Sequence, residues 1–259
     1  LDNFFSIINS DIIYFQGYTY DKNLYYDEAK RHYNILLNNK QYKELSENEL
    51  SVIFDFYRNN NDLDSSLLVV DALLSKLYHE KFVTEKFDIL IEKKEIKAAS
   101  EILNNEKTKA FKDYFQVCIT FEENGNKNEY KNGLVKLINN KKINTYLSKH
   151  ILLKYLKFEF NDNNYNTVLK YVTKISDEEF VNLSPEIKYL EGLSYYQIGD
   201  EKSAVQLFLK MFYMYSQYSY WVEKAIRQVV SIYSKNGETE RANKAIEMFE
   251  DKFFKLRSL

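Results

Sequence analysis

The chain has one cysteine, Cys118, and one proline, Pro185, in 259 residues. A single cysteine excludes an internal disulfide. It lies in the apolar run Phe115-Gln-Val-Cys-Ile-Thr-Phe121, with no basic residue or helix start beside it, and reads as a small buried hydrophobe rather than a reactive thiol. The only glycines are Gly17, Gly125, Gly133, Gly192, Gly199 and Gly237. They are too far apart for a Gly-x-Gly phosphate loop, which disfavours nucleotide-dependent catalysis on backbone grounds. Scarce glycine and proline also leave too little turn chemistry for many short strands, so helix is the default. No sign of charge prevails: 36 basic and 38 acidic residues are interspersed, for a net charge of −2. That balance argues against nucleic acid or an anionic membrane as partner. No apolar run approaches the ~18 residues of a spanning helix, so the sequence is expected to be soluble. His32, His79 and His150 are widely separated, and none has a second histidine at helical spacing, which gives no metal site. Adjacent acids such as Glu122-Glu123 and Glu178-Glu179 point apart on a helix and read as solvated charges. No catalytic residue, metal or cofactor is assigned, and the chain is read as non-enzymatic.

What the sequence does contain is apolar surface, spread evenly. Hydrophobic residues make up 45% and charged residues 29%, with no low-complexity tract or evident linker, so every segment can help to bury a core. One pattern occurs near both ends: Gly17-x-x-Tyr20 with Ala29, and Gly192-x-x-Tyr195 with Ala204. Small and aromatic residues at those offsets suit two helices packed closely along a seam. Small or short residues continue at Ser66, Ala99, Gly133, Val168 and Ala242, so the seven positions are separated by 37, 33, 34, 35, 36 and 38 residues. A period of this size is the signature of stacked helix pairs.

Local signals mark several helix ends. Ser184-Pro185-Glu186 predicts an N-cap followed by proline in the first turn. Gly199 and Asn236-Gly237 predict C-terminal caps, and Asp200 the next N-cap. Ser46-x-x-Glu49 and Ser176-x-x-Glu179 read as capping boxes. Polar stretches at residues 59–62, 124–128 and 161–164 predict turns between paired helices.

On these residues the chain resembles the tetratricopeptide repeat family. Gly192, Tyr195, Gly199, Ala204 and Phe208 fall on the family's small, aromatic, turn, small and aromatic positions. Tyr233, Gly237, Ala242 and Ile246 match in the following repeat, and Gly17, Tyr20, Ala29 and Tyr33 in the first. The resemblance implies a single all-α domain over residues 1–259, a right-handed α-α superhelix of about seven helix pairs. Its clearest repeats are 10–43, 185–218 and 223–256. In the intervening repeats Leu156, Glu159 and Val168 replace the small, aromatic and small residues. The resemblance also implies that Tyr20, Tyr195, Phe208 and Tyr233 pack between helices.

In that family the first helix of each pair lines a concave surface. The implied inner wall comprises Tyr14, Tyr18 and Asp21, then Tyr189, Leu193 and Tyr196, then Arg227, Ser231 and Lys235. Tyrosines make good anchors, and Arg227 with Lys235 would receive a carboxylate. On this register Tyr195 and Ala204 hold the fold, whereas Tyr189→Ala and Arg227→Glu should leave it intact. These cations do not reproduce the family's clamp for chaperone tails. A second candidate surface is the aromatic stretch Phe212, Tyr213, Tyr215, Tyr218, Tyr220 and Trp221. The expected function is a protein-interaction scaffold for a partner protein or peptide. One alternative is an envelope lipoprotein subunit in outer-membrane assembly, suggested by a weak likeness over residues 187 to 250; it expects a lipidated cysteine upstream of Leu1. The other is a peptide-sensing regulator.

Overall fold

Six times among the described residues, a three-residue segment joins one helix to the next in the same conformation. A computed structural model describes residues 10–140, 142–173 and 184–253, and among them the secondary structure is helical, with no strand. The α-helices are α1 (Ser10–Lys22), α2 (Tyr26–Asn38), α3 (Glu47–Asn59), α4 (Leu63–Lys76), α5 (Glu80–Glu92), α6 (Ile96–Asn105) and α7 (Lys109–Asn124). They continue as α8 (Lys127–Ile138), α9 (Thr145–Asn161), α10 (Tyr165–Thr173), α11 (Pro185–Gln197), α12 (Glu201–Met214), α13 (Ser219–Lys235) and α14 (Thr239–Phe253).

The recurrent connections are residues 23–25, 60–62, 93–95, 162–164, 198–200 and 236–238. The middle residue of each is left-handed: Leu24 (φ 63°), Asn61 (56°), Lys94 (62°), Asn163 (61°), Gly199 (87°) and Gly237 (72°). The next N–H donates back five residues, to the carbonyls of Tyr20, Tyr57, Leu90, Glu159, Tyr195 and Tyr233, at 2.8–3.0 Å. This closure satisfies carbonyls that a helix end would otherwise leave bare. Five residues beyond each left-handed position stands the small or short residue of the repeat: Ala29, Ser66, Ala99, Val168, Ala204 or Ala242. All six are buried in even-numbered helices. The α7–α8 connection differs. There Gly125 (φ 65°) is the left-handed residue, and its own N–H closes on Phe121 only four residues back. The unequal sequence intervals therefore track a repeated backbone turn.

Close packing within a pair rests on bare backbone. A methyl group on Gly17 would lie 2.7 Å from Cε1 of Tyr33, and one on Gly192 would lie 2.4 Å from Cε1 of Phe208. Tyr33 and Phe208 each follow the buried alanine of their own helix by four residues, so the two ends of the chain repeat one contact. Of the four aromatics expected between helices, Phe208 is fully buried there, and the three tyrosines are less enclosed than expected. Tyr20 is 37% exposed and packs on His32, and Tyr195 and Tyr233 are half-buried. The ring over the glycine comes from the second helix, Tyr33 on Gly17 and Phe208 on Gly192.

The predicted caps are present where the chain is described. Ser46 and Glu49 bond reciprocally, Ser184 accepts from the Ile187 N–H ahead of α11, and Asp200 accepts from Ser203. The predicted Ser176–Glu179 box lies outside the described residues. Cys118 is buried beside Tyr114 and Tyr130, as expected of a small hydrophobe.

Contacts divide the chain into two units, one ending at Ser148 and one starting at Lys149. In the first, consecutive helices pack in order, and α1 also touches α3 while α5 touches α7. One apolar cluster there includes Tyr33, Leu36, Phe54, Phe56, Tyr57 and Val69. In the second, α10 to α14 pack in the same order and α11 touches α13. Its buried side chains include Phe208, Met211, Ile226, Val229 and Phe249. This sequential packing of helices in adjacent pairs is consistent with an α-solenoid.

Candidate functional site

Contacts between alternate helices place odd-numbered helices side by side, so their free faces form continuous walls within each unit. On the first unit's wall, Tyr14 and Tyr18 stand one helical turn apart and stack with ring centroids 6.0 Å apart and planes 27° apart. Lys22, one turn further, lies 5.3 Å over the Tyr18 ring. Asp21 is half-buried. Asp55 of α3 is exposed.

The carboxyl groups on this wall are perturbed. Burial pushes the Asp21 carboxyl up to about 6, with Lys22 opposing the rise and Asp55 adding to it. Asp55 is also raised, first by burial, with Lys81 and Lys22 opposing and Glu85 reinforcing. Tyr14 is raised to about 12, by burial first and then by Glu49, Tyr18 and Asp21. Further along the wall, Arg58 donates to both oxygens of Glu92 at 2.7 Å, and Glu85 lies 3.6 Å away. Burial works against its charge, but these partners outweigh it and hold the guanidinium protonated.

The second unit's wall is already occupied by its own charges. Tyr189 is only 8% exposed, with its ring 5.7 Å from both Phe208 and Trp221, and its hydroxyl accepts from Gln228. The expectation that Tyr189→Ala leaves the fold intact is therefore corrected: this ring closes the junction between α11 and α13. Lys224 brings the expected aromatics together. Its ammonium lies 5.4 Å over Tyr189, 5.0 Å over Tyr220 and 5.1 Å over Trp221, and it donates to the Tyr220 hydroxyl. Arg227 gives two bonds to Glu223 one turn earlier, so an incoming carboxylate there would have to displace a buried one. Lys235 lies over Tyr196 and 3.7 Å from Glu201. Leu193 is half-buried and Ser231 exposed.

The aromatic stretch between α12 and α13 divides by side. Phe212 and Tyr215 are buried, Tyr213 is 66% exposed and Tyr218 47%. Tyr220 and Trp221 belong to the Lys224 cluster. Among the described residues, no group of three or more His, Cys, Asp or Glu is arranged to hold a metal ion. None of the described helices is long and apolar enough to cross a membrane.

Sequence reasoning missed Asp55, Lys224 and Glu223. The 37-residue step from Ala29 to Ser66 carries Tyr18 onto Asp55, so the repeat register itself held that signal. Glu223 stands four residues before Arg227, the spacing of a helical ion pair.

The fold thus defines an all-helical protein whose helices pack in sequence order. No protein-family model matches the chain, and no curated protein matches it in sequence.

Proposed function

We propose that this protein is a non-enzymatic scaffold of the tetratricopeptide type. In this reading its helices form about seven pairs of a right-handed α-α superhelix. A partner protein or peptide lies against the wall built by the first helix of each pair. The observation that carries the reading is the recurrence of one left-handed turn with one buried small residue five positions later. That recurrence makes each helix pair a unit, and stacked units present a preformed surface that lowers the entropic cost of capturing a flexible segment. The first unit's wall is the better candidate, since in the second unit Tyr189 is buried against Phe208 and Trp221 and Arg227 is paired with Glu223.

The test is affinity capture from native lysate with wild type and Tyr14→Ala/Tyr18→Ala side by side, after melting curves show that both are folded. A partner retained by wild type and lost by the variant supports the reading. Equal recovery by both removes the first unit's wall as the binding surface.

A further inference from the structure

The connection between α2 and α3, residues 39–46, is longer than those between α4 and α5, 77–79, and between α6 and α7, 106–108. Lys40 turns left-handed at φ 61°, and Gln41–Lys43 follow as one tight helical turn packed against α2 and α4. Tyr42 and Leu45 anchor this insertion, at 6% and 1% exposure, so its backbone is held against the helices.

Between the turn and α4 lies an open groove of about 350 Å³, lined by Tyr42 and Lys43 on one side and by Leu68, Asp71, Ser75 and Lys76 on the other. Leu68 leaves 41% of its surface uncovered. Tyr42 is otherwise enclosed, and its hydroxyl makes no hydrogen bond to the described residues. The charges around the groove are unequally met. Asp71 is paired with Lys86 at 2.7 Å, whereas neither Lys43 nor Lys76 has an ion pair among the described residues. The same unit pairs its cations elsewhere, as in Arg58–Glu92 and Lys30–Asp62. A second hollow, at the start of α3, shares Lys76 and adds Glu47. Glu47 disfavours an anion in that second hollow, which confines an anionic ligand to the first. An uncovered leucine, an unmet hydroxyl and two unmet ammonium groups around one groove specify a ligand that is both apolar and anionic.

We infer that this groove receives an acidic segment of a partner protein, with its carboxylates on Lys43 and Lys76 and one apolar side chain on Leu68 beside Tyr42. The Tyr42 hydroxyl donates to an oxygen of the segment. A nucleic-acid backbone would satisfy the lysines but leave Leu68 uncovered, so a peptide fits better. The groove belongs to α4 and the inserted turn. It is a second contact surface and does not depend on the odd-helix wall binding a partner.

The test titrates the full chain against fluorescein-labelled Glu-Glu-Leu-Glu-Glu by anisotropy at low and at physiological ionic strength, with Gln-Gln-Leu-Gln-Gln, Glu-Glu-Ser-Glu-Glu and deca-thymidine as comparison probes. The acidic leucine peptide should bind most tightly of these. Lys43→Glu/Lys76→Glu should weaken it about tenfold or more, and Leu68→Ser about threefold. Lys97→Glu/Lys202→Glu makes the same change of charge at exposed lysines that do not line the groove, and should leave binding within about twofold of wild type. These variants alter exposed side chains only, so circular dichroism melts should coincide with that of wild type. The inference is overturned if the acidic leucine peptide does not bind, if the glutamine or serine peptide binds as well, if deca-thymidine binds more tightly, or if the control pair weakens binding as much as Lys43→Glu/Lys76→Glu.

Discussion

Replacing Gly192 with alanine sets two known effects against each other, and the geometry decides between them. In an exposed helix interior the change should stabilise by about 1 kcal/mol, since alanine loses less backbone entropy than glycine. At this position the new methyl group would lie 2.4 Å from Cε1 and 2.7 Å from Cζ of Phe208. That ring is fully buried against Tyr189 and cannot swing away without displacing its neighbours. Overpacking of this kind typically costs about 1–3 kcal/mol, and the tightness of this contact places it in the upper half of that range, leaving a net destabilisation of about 1–2 kcal/mol. Trp221, the chain's one tryptophan, touches Tyr189 in the same unit, so its fluorescence during urea unfolding reports locally. The second arm is Phe208→Leu, which removes the clashing ring; in that background Gly192→Ala should cost less than about 0.5 kcal/mol or stabilise. Gly192→Ala raising stability in the wild-type background would refute the seam described here.

Further outcomes follow from the same structure. Asn163→Gly and Lys94→Gly relieve left-handed strain and should stabilise by about 0.5–1 kcal/mol in thermal melts, whereas Leu24→Gly deletes a buried side chain and should destabilise by about 1–3 kcal/mol. Asp21 has a carboxyl raised to about 6 by burial, with Asp55 adding and Lys22 opposing, so its charged form disfavours folding. That penalty is absent well below the ordinary value of 3.8, where the group is protonated in both the folded and the unfolded state, grows as the pH rises from there, and is complete above about pH 6. Asp21→Asn should therefore raise the melting temperature at pH 7.5 more than at pH 4.5, and a pH-independent difference would contradict this. Tyr189→Ala should destabilise by about 3–5 kcal/mol while Tyr213→Ala stays within about 0.5 kcal/mol, a contrast that circular dichroism melts read directly.

The repeat was legible because glycine and alanine are rare enough here to mark positions where two backbones approach. Gly17, Gly192, Ala29 and Ala204 announced the seam, and Ser46, Ser184 and Asp200 announced helix starts through ordinary capping chemistry. The turns were only half visible. Gly199 and Gly237 flag a left-handed residue, but Leu24 and Lys94 adopt the same conformation with no compositional mark. What holds them there is the five-residue hydrogen bond that follows, together with packing of the helix pair. Exposure along α11 was the least legible feature. Tyr189 and Tyr195 are both tyrosines on one helix, and only the position of Trp221 and Phe208 decides that Tyr189 is the buried one. At the candidate site, Tyr14, Tyr18 and Asp21 were found from the register of the first repeat. Asp55 was not, because it is reached only by carrying Tyr18 forward through the 37-residue step from Ala29 to Ser66.

The central claim is that a partner contacts the odd-helix wall of the first unit. Its most direct test is a photo-crosslinking amino acid placed at Tyr18 on that wall or at Arg31, an exposed position on α2. After irradiation in native lysate, the account expects a discrete adduct from position 18 and none from position 31. An adduct from position 31 alone would contradict it.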